Sequence, residues 1–368
     1  MKTPLHIGLV HDWLVSMRGG EKAFEVLCEI FPDAVVGTLI HRQGSVSPVI
    51  ENHPIKTSFL QNLPFARERY QYYLPLFPAA IESLDFSDYD CVISSSHAVA
   101  KGVRIGKRTL HICYCHTPMR YIWDEYDNYF NRDRSSFFVR TGMKISLPYL
   151  RQWDIRSARQ VTHFLTNSRN VQDRIRRLYN RDAEVMYGPV DINRFSCQPR
   201  DDGYYLIVSA LVPNKCIDIA VEAFNMLGEK LIIAGSGIQA PALKAKARKN
   251  IEFLGWVADD KIPELYANCR AVIFPGEEDF GLVPIEAMAA GKPVIAYGAG
   301  GALETIIDGV TGIFFRERHP QRLCDAVKRL SSYTFDPEVI RKHAAQFDRS
   351  IFRERMARFI YEKLDEWE

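Results

Sequence analysis

Apolar positions along the chain fall in short runs, each followed by a glycine-rich or polar turn and then by a stretch with apolar residues at helical spacing. The first run, Leu5–Val10 (LHIGLV), ends at His11-Asp12, and Arg18-Gly19-Gly20-Glu21 leads into an amphipathic stretch from Lys22 to Phe31. Strand, glycine loop, helix is the opening unit of a doubly wound sheet. Ala34–Leu39, Cys91–Ser94, Thr109–Cys115, Phe164–Asn167 and Glu184–Tyr187 are further predicted strands, with helical segments between them, notably Asn170–Tyr179.

Tyr187-Gly188-Pro189-Val190-Asp191 breaks the pattern and Gln198–Gly203 is polar and turn-rich, which predicts a linker. The alternation then restarts with a strand at Tyr204–Ser209, a helix at Ile217–Met226, a strand at Lys230–Ala234, the turn Gly235-Ser236-Gly237 and a lysine-rich helix. Strands Ile251–Leu254, Ala271–Phe274 and Pro293–Ala296 alternate with helices Lys261–Asn268 and Pro284–Ala290, and further helices run to the C-terminus. Two such alternations predict an α/β chain of two Rossmann-like domains, residues 1–197 and 198–368, facing a cleft. Ligands of parallel sheets sit outside the carboxyl ends of the strands, so the loops with Gly19-Gly20, His116 and Gly276–Gly281 are expected to carry the chemistry.

Composition narrows this little. Of 368 residues 47% are apolar and 25% charged, an ordinary balance that excludes a disordered, collagenous or disulfide-scaffold chain. No apolar stretch approaches the ~20 residues of a membrane span and the N-terminus lacks a leader's apolar run, so a cytoplasmic protein is expected. Eight cysteines are scattered, mostly in apolar runs. His111-x-Cys113-x-Cys115-His116 has ligand types, but its alternation fits a buried strand and no second pair completes four ligands, so no metal is expected.

The net charge of +2 is unevenly placed: residues 101–181 carry 17 Lys and Arg against 6 Asp and Glu, an excess of +11 that leaves −9 elsewhere. Such a block forms solvated helix faces or attracts anionic lipid or a diphosphate-bearing substrate. With the apolar runs Tyr70–Phe77 and Phe137-Phe138 nearby, it makes the N-terminal domain a candidate for peripheral attachment to the inner face of a membrane. No helix-turn-helix, zinc-finger or aromatic RNP pattern accompanies the charge, so nucleic acid is not an expected partner.

The chemistry concentrates in FPGEEDFGLVPIEAMAAGKPVIA, residues 274–296. Glu278 lies in the loop after a predicted strand and Glu286 in the predicted first turn of a helix with Pro284 at its first position. A loop carboxylate can accept hydrogen bonds from sugar hydroxyls, a carboxylate at a helix start can hold a vicinal diol such as ribose, and backbone N–H groups around Phe280-Gly281-Leu282 can meet a diphosphate. The plain alternative is a solvated Glu278 and a favourable acid at a helix start.

Glu278-x7-Glu286 in this setting closely resembles the EX7E signature of family-four retaining glycosyltransferases of the GT-B fold. The resemblance runs along the chain: VHDWL…RGGEK at the start, ISSSHAVAKG at 93–102, CYCHTPMRYIWD at 113–124, LTNSRNV at 165–171, GPVDINRF at 188–195, LVPNKCIDIAVEAF at 211–224, IAGSG at 233–237 and FLGWV at 253–257. Together these look like the subgroup that adds mannose or a similar sugar to bacterial surface-polysaccharide intermediates. The resemblance implies a fold whose C-terminal helix, the last ~20 residues, packs on the N-terminal domain. It implies no cofactor, a nucleotide-sugar donor with GDP-mannose first and UDP-sugars second, and a lipid-linked or glycan acceptor. Lys215 would bind the donor diphosphate, Glu278 the sugar hydroxyls and Glu286 the ribose, with Val257 and Gly235–Gly237 beside the base. Gly19 and Gly20 would let backbone approach the reacting phosphate, and His116 would touch the donor sugar.

The pattern departs at Ala210, five residues before Lys215, where the family usually has Arg; Lys101, Arg104 and Arg120 are candidate replacements for that phosphate contact. The only DxD, Asp88-x-Asp90, precedes a predicted strand instead of following one, so metal-free catalysis is expected, with the departing diphosphate taking the acceptor's proton and no protein nucleophile. A sugar-nucleotide epimerase of the same fold and a noncatalytic sugar-nucleotide-binding relative are the competing readings. An NAD dehydrogenase is disfavoured because the first turn, His11–Gly20, lacks GxGxxG.

Overall fold

The computed structural model describes residues 5–126, 130, 137–198 and 200–367; the side chain of Phe138, half of the second apolar run, lies outside them. The chain divides into two units, Met1–Gly188 with Phe352–Glu368, and Pro189–Ile351.

In the first unit the strands are β1 (Ile7–His11), β2 (Val35–Thr38), β3 (Ile55–Thr57), β4 (Asp85–Phe86), β5 (Cys91–Ser96), β6 (Arg104–Ile105), β7 (Leu110–Cys115), β8 (His163–Thr166) and β9 (Ala183–Val185). Seven of them form one parallel sheet in the order β3-β2-β1-β5-β7-β8-β9, and β4 pairs with β6 alone. Apolar alternation along these strands serves both faces. Leu9, Ile93 and Ile112 pack with Phe24 and Leu27 of helix Gly19–Ile30, whereas Val10 and Val92 pack with Ile81, Met143, Leu150 and Trp153. Helix Arg349–Trp367 joins the first of these clusters through Phe352, Met356, Ile360 and Leu364, one apolar stripe at four-residue spacing.

The second unit has β10 (Tyr204–Val208), β11 (Lys230–Ala234), β12 (Ile251–Gly255), β13 (Ala271–Phe274), β14 (Val294–Tyr297) and β15 (Gly312–Phe315), all parallel in the order β12-β11-β10-β13-β14-β15. Each sheet therefore reverses its strand order once, between β1 and β5 and between β10 and β13. A crevice for ligands forms at the carboxyl edge of such a switch point.

Three expectations change. The units part at Gly188–Pro189, ahead of the anticipated boundary at Cys197, because the intervening segment is tied into the second unit: Val190 N–H donates to the Phe347 carbonyl (3.0 Å), Arg341 donates to the Phe195 carbonyl (2.7 Å) and the Phe195 ring packs on Tyr266. β3, β4, β6 and β15 had no strand prediction; the first three have only two or three residues, too few to show a period. Lys101, a candidate phosphate contact, is 1% exposed and donates to the Asp154 carboxylate at 2.5 Å.

That pair pins helix Phe137–Ala158 to the turn after β5, and Asp154 also accepts from Trp123 Nε1 (2.8 Å) and the Tyr179 hydroxyl (2.9 Å). Burial opposes the charge on Lys101, but the adjacent Asp154 outweighs it and holds the lysine pKa above its ordinary value. Asp154→Ala leaves the ammonium buried without its counter-charge, and denaturant unfolding is expected to show a loss of about 3–5 kcal/mol. A loss within experimental error would mean that Lys101 escapes to solvent.

Candidate active site

The carboxyl edge of the first sheet is organised by Asp12, which follows β1 and is fully buried. Its Oδ2 accepts the N–H groups of His97 (2.6 Å) and Ala98 (3.0 Å), and its Oδ1 those of Val99 (2.6 Å) and Ala100 (2.7 Å), so the loop after β5 is clamped over the end of β1. His97 Nδ1 lies 3.1 Å from the same carboxylate. His11 and Ser95 are neighbours in register across β1 and β5, and the Ser95 hydroxyl sits between two imidazoles, 3.1 Å from His11 Nδ1 and 2.8 Å from Nε2 of His116, the residue after β7. Burial, followed by the neighbouring His97 and His11, holds the His116 pKa well below the ordinary imidazole value, so the ring is neutral.

Gly19 and Gly20 open helix Gly19–Ile30, with Arg18 as its N-cap. Glu21 Oε2 accepts the Arg18 N–H (3.0 Å) and its Oε1 faces His11 Nε2 at 3.8 Å. Burial pushes the Glu21 carboxyl up, but His11 beside it reverses the shift and lowers the pKa. Ser95, His97, His11 and Glu21 were all missed as site residues. The string ISSSHAVAKG was visible, but nothing in one sequence says that a serine from it lies between two histidines.

In the second unit, Lys215 ends the turn Pro213–Lys215 after β10, and Glu278 lies in the loop after β13. Their charged ends are 2.6 Å apart and each side chain is about a quarter exposed, at 22% and 24%. Gly276 permits this approach: a Cβ there would lie 2.9 Å from both the Asn214 carbonyl oxygen and Lys215 Cα. Gly301, another residue the sequence reading passed over, backs the loop from β14; its N–H donates to the Glu278 carbonyl at 2.9 Å and its own Cβ would meet the Phe280 backbone at 2.4 Å. Cys216, directly after Lys215, holds the left-handed conformation at φ 53°. Such a strained non-glycine residue costs on the order of 1–3 kcal/mol and is held by its surroundings.

Glu286 stands lower on its helix than the sequence suggested. The helix is Leu282–Ala289 with Gly281 (φ 83°) as N-cap, so Pro284 is its third residue and Glu286 lies in the second turn. Proline is accepted there because N–H groups of a first turn have no intrahelical partner in any case. The fully buried Tyr266 donates its hydroxyl to Glu286 Oε2 at 2.9 Å. Phe280 is buried against Phe347, so only its backbone can serve a ligand. Gly235–Gly237 is laced to the loop after β10 by Ser209 N–H to Ala234 O and Leu211 N–H to Ser236 O, and Gly235 N–H reaches Gly255 O just before Val257.

The remaining candidates lie elsewhere. Arg104 is exposed near Asp85, and Arg120 is paired with Glu125. Ala210 is exposed in the loop between β10 and Lys215. Asp90 accepts the His6 N–H (2.8 Å) at the amino edge of the first sheet, opposite the His116 edge. His111 bonds Ser94 through Nε2, while Cys113 and Cys115 pack in an apolar cluster. A cavity of about 700 Å³ in the second unit is lined by residues at the amino ends of the strands, such as Tyr205, Arg270 and Lys292. There Arg270 is tied to Asp201, and Lys292 to the Gln198 and Arg200 carbonyls.

Residues 40–194 match the Glycosyltransferase Family 4 model and residues 191–347 the Glycosyl transferases group 1 model. The fold is shared with Anabaena Alr3699/HepE in complex with UDP (TM-score 0.71, 19% identity, 97% of this chain and 100% of that one) and with sucrose-phosphate synthase from Thermosynechococcus elongatus (TM-score 0.71, 16% identity, 98% and 100%). Between them the two glycosyltransferase models span residues 40–347, and the fold is that of GT-B glycosyltransferases. Among curated relatives, the O-antigen chain mannosyltransferase RfbU of Salmonella typhimurium is 27% identical over 48% of this chain and 56% of its own length. A GDP-mannose-dependent α-(1-6)-phosphatidylinositol monomannoside mannosyltransferase of Mycobacterium tuberculosis is 34% identical over 33% and 37%. The chain spans about half the length, or less, of the curated relatives it matches.

A Cβ at Gly20 would lie 3.6 Å from His11 Cε1 and 3.7 Å from His116 Nε2, ordinary contact distances. Gly20→Ala is therefore expected to leave stability unchanged or raise it by up to ~1 kcal/mol, while a ligand that needs bare backbone there is obstructed. Thermal unfolding combined with turnover checks this: a folded variant with full activity would remove Gly20 from the site.

Proposed function

We propose that the protein is a retaining, metal-independent hexosyltransferase that moves mannose from GDP-mannose to a hydroxyl of a lipid-linked glycan intermediate of surface-polysaccharide synthesis. The observation that carries the proposal is the Lys215–Glu278 pair at the switch point of the second sheet, with Glu286 on the helix that the same loop enters. The relatives' names support a mannosyl donor, and the UDP in the HepE complex makes UDP-sugars the competing one.

In this reading Lys215 and the first-turn N–H groups of helix Leu282–Ala289 receive the diphosphate, where positive charge stabilises the leaving group. Glu278 orients the sugar through its hydroxyls and Glu286, itself oriented by Tyr266, accepts from the ribose diol. Within the first unit, Gly20 and His116 lie side by side, and in this reading His116 would meet a sugar and Gly19–Gly20 a phosphate. The bond from the acceptor oxygen to the anomeric carbon forms on the face from which the diphosphate departs, and the acceptor's proton passes to the departing phosphate oxygen. Charge neutralisation rests on cations and backbone dipoles, and the Asp88-x-Asp90 pair, at the opposite edge of its sheet, has no part in it.

No helix among the described residues is long and apolar enough to cross a membrane. Helix Phe137–Ala158 exposes Phe137 (67%), Ile145 (75%) and Tyr149 (48%) at four- or eight-residue spacing, with Arg140 and Lys144 alongside. That stripe supports reversible attachment to an anionic inner leaflet, where each basic residue contributes on the order of 1 kcal/mol. Flotation with liposomes of rising anionic-lipid content is expected to recover the protein in a salt-sensitive way; indifference to lipid charge and salt removes the attachment and leaves the transferase reading standing.

Thermal-shift titration with GDP-mannose and UDP-sugars tests the donor, since a ligand that binds only the folded state raises the midpoint. GDP-mannose is expected to stabilise the protein most, and Lys215→Ala and Glu286→Gln each to weaken its binding by roughly 1.5–3 kcal/mol. Unchanged affinity in both variants overturns the site assignment. Because Ala210 provides no guanidinium, tight donor binding without turnover across lipid-linked acceptors would instead identify a noncatalytic relative.

A further inference from the structure

Two imidazoles share one hydroxyl at the carboxyl edge of the first sheet. Ser95 Oγ has a single proton, yet it lies within hydrogen-bond distance of both His11 Nδ1 and His116 Nε2. It can donate to only one ring, so for both bonds to form the other ring must donate to it. Which ring donates is fixed outside the pair. His11 is fully buried, and its Nε2 has no hydrogen-bond partner among the described residues; the group facing it is Glu21 Oε1 at 3.8 Å. A carboxylate opposite Nε2 favours a proton on that nitrogen and repels a lone pair. When each ring carries a single proton, a proton on His11 Nε2 leaves a bare Nδ1, Ser95 donates to it, and the Ser95 oxygen accepts from His116 Nε2–H.

We infer that Glu21, His11 and Ser95 form a tautomer-setting relay that fixes the proton of His116 on Nε2 and leaves its Nδ1 as a hydrogen-bond acceptor for a hydroxyl of the donor sugar. His116 Nδ1 has no hydrogen-bond partner among the described residues. The lowered pKa of Glu21 keeps the far end of the relay negative, and the depressed pKa of His116 keeps its ring neutral, the form in which one nitrogen can accept. Glu21, His11 and Ser95 are positioning residues acting through His116. Only the role of His116 rests on the transferase reading; the relay itself is a property of the ligand-free protein.

The isosteric variant Glu21→Gln separates the relay from mere packing. Its amide oxygen can still accept the Arg18 N–H, while the amide NH₂ turned toward His11 Nε2 now asks for a lone pair. The His11 proton moves to Nδ1, Ser95 turns round, and His116 is left with its proton on Nδ1. The measurement is the pair of imidazole ¹⁵N shifts of His116 at pH 8 in histidine-labelled full-length protein, with its signals identified by their loss in His116→Asn.

The expected result is a protonated Nε2 in the wild type and a protonated Nδ1 in Glu21→Gln, with donor kcat/KM reduced roughly tenfold, mainly through KM. In Ser95→Ala the Nε2 proton of His116 is expected to lose its protection from solvent exchange, a second readout should Glu21→Gln fold poorly. A wild-type His116 protonated on Nδ1, or the same tautomer in wild type and Glu21→Gln, overturns the relay, even where activity falls. Tautomers that switch as expected while GDP- and UDP-sugars leave the His116 signals unmoved would keep the relay and defeat the assignment of His116 to the donor sugar.

Discussion

Four backbone N–H groups in succession, from His97 to Ala100, converge on the two oxygens of Asp12. A carboxylate buried at the end of a central strand is prohibitive without partners, and four consecutive amides satisfy it without needing a cation. The same bonds decide where the loop after β5 runs, so they also set the place of Ser95 beneath it and of His97 beside it. Successive amides around an anion form the kind of nest that elsewhere binds phosphate. Here the anion belongs to the chain, and any phosphate reaching this edge must find other donors. The start of helix Gly19–Ile30, with two glycines in its first turn, is where the first unit offers them.

The second unit solves the opposite problem. Its switch-point loops hold a cation and an anion against each other at the surface, Lys215 and Glu278, and the crowding of backbone around Gly276 and Gly301 makes their spacing a consequence of the fold. An ammonium has three donors on one point of charge. Under the proposed transferase reading, a diphosphate would compete with Glu278 for Lys215 and, in displacing it, free a carboxylate already in position for the sugar hydroxyls. The left-handed Cys216 directly follows Lys215 in this turn.

The central strands of both sheets were legible because a parallel sheet with packed faces needs short, nearly continuous apolar runs, and β1, β5, β7, β10, β11 and β13 have them. Lys215, Glu278, Glu286 and His116 were singled out as candidates by the motifs around them, which is a matter of local sequence. What escaped depends on partners remote in the chain. Lys101 looked like a surface cation within a basic block until helix Phe137–Ala158 brought Asp154 to it from 53 residues away. Ser95 is one of three consecutive serines, and only the register of β1 against β5 tells which of them meets His11. Pro284 pointed to a helix start two residues late, because the positive φ of Gly281 is a property of the loop and carries no mark in the helical pattern.

The basic block at 101–181 shows how far a charge count is from a field. Lys101 pairs with Asp154 and Arg120 with Glu125, while Arg174 and Arg177 share Asp124; the +11 excess already counts these acids. Arg181 is directed onto the carbonyls of Ala158, Val161 and Thr162, and Arg151 onto that of Ile122. These cations tie helices and loops together, while Arg104, Lys107, Arg108 and Arg159 stand exposed. Lys144 on helix Phe137–Ala158 is exposed alongside the exposed apolar residues Phe137, Ile145 and Tyr149. Under the attachment proposal, a lipid surface would meet an amphipathic stripe on this helix whose apolar contribution adds to that of the basic residues.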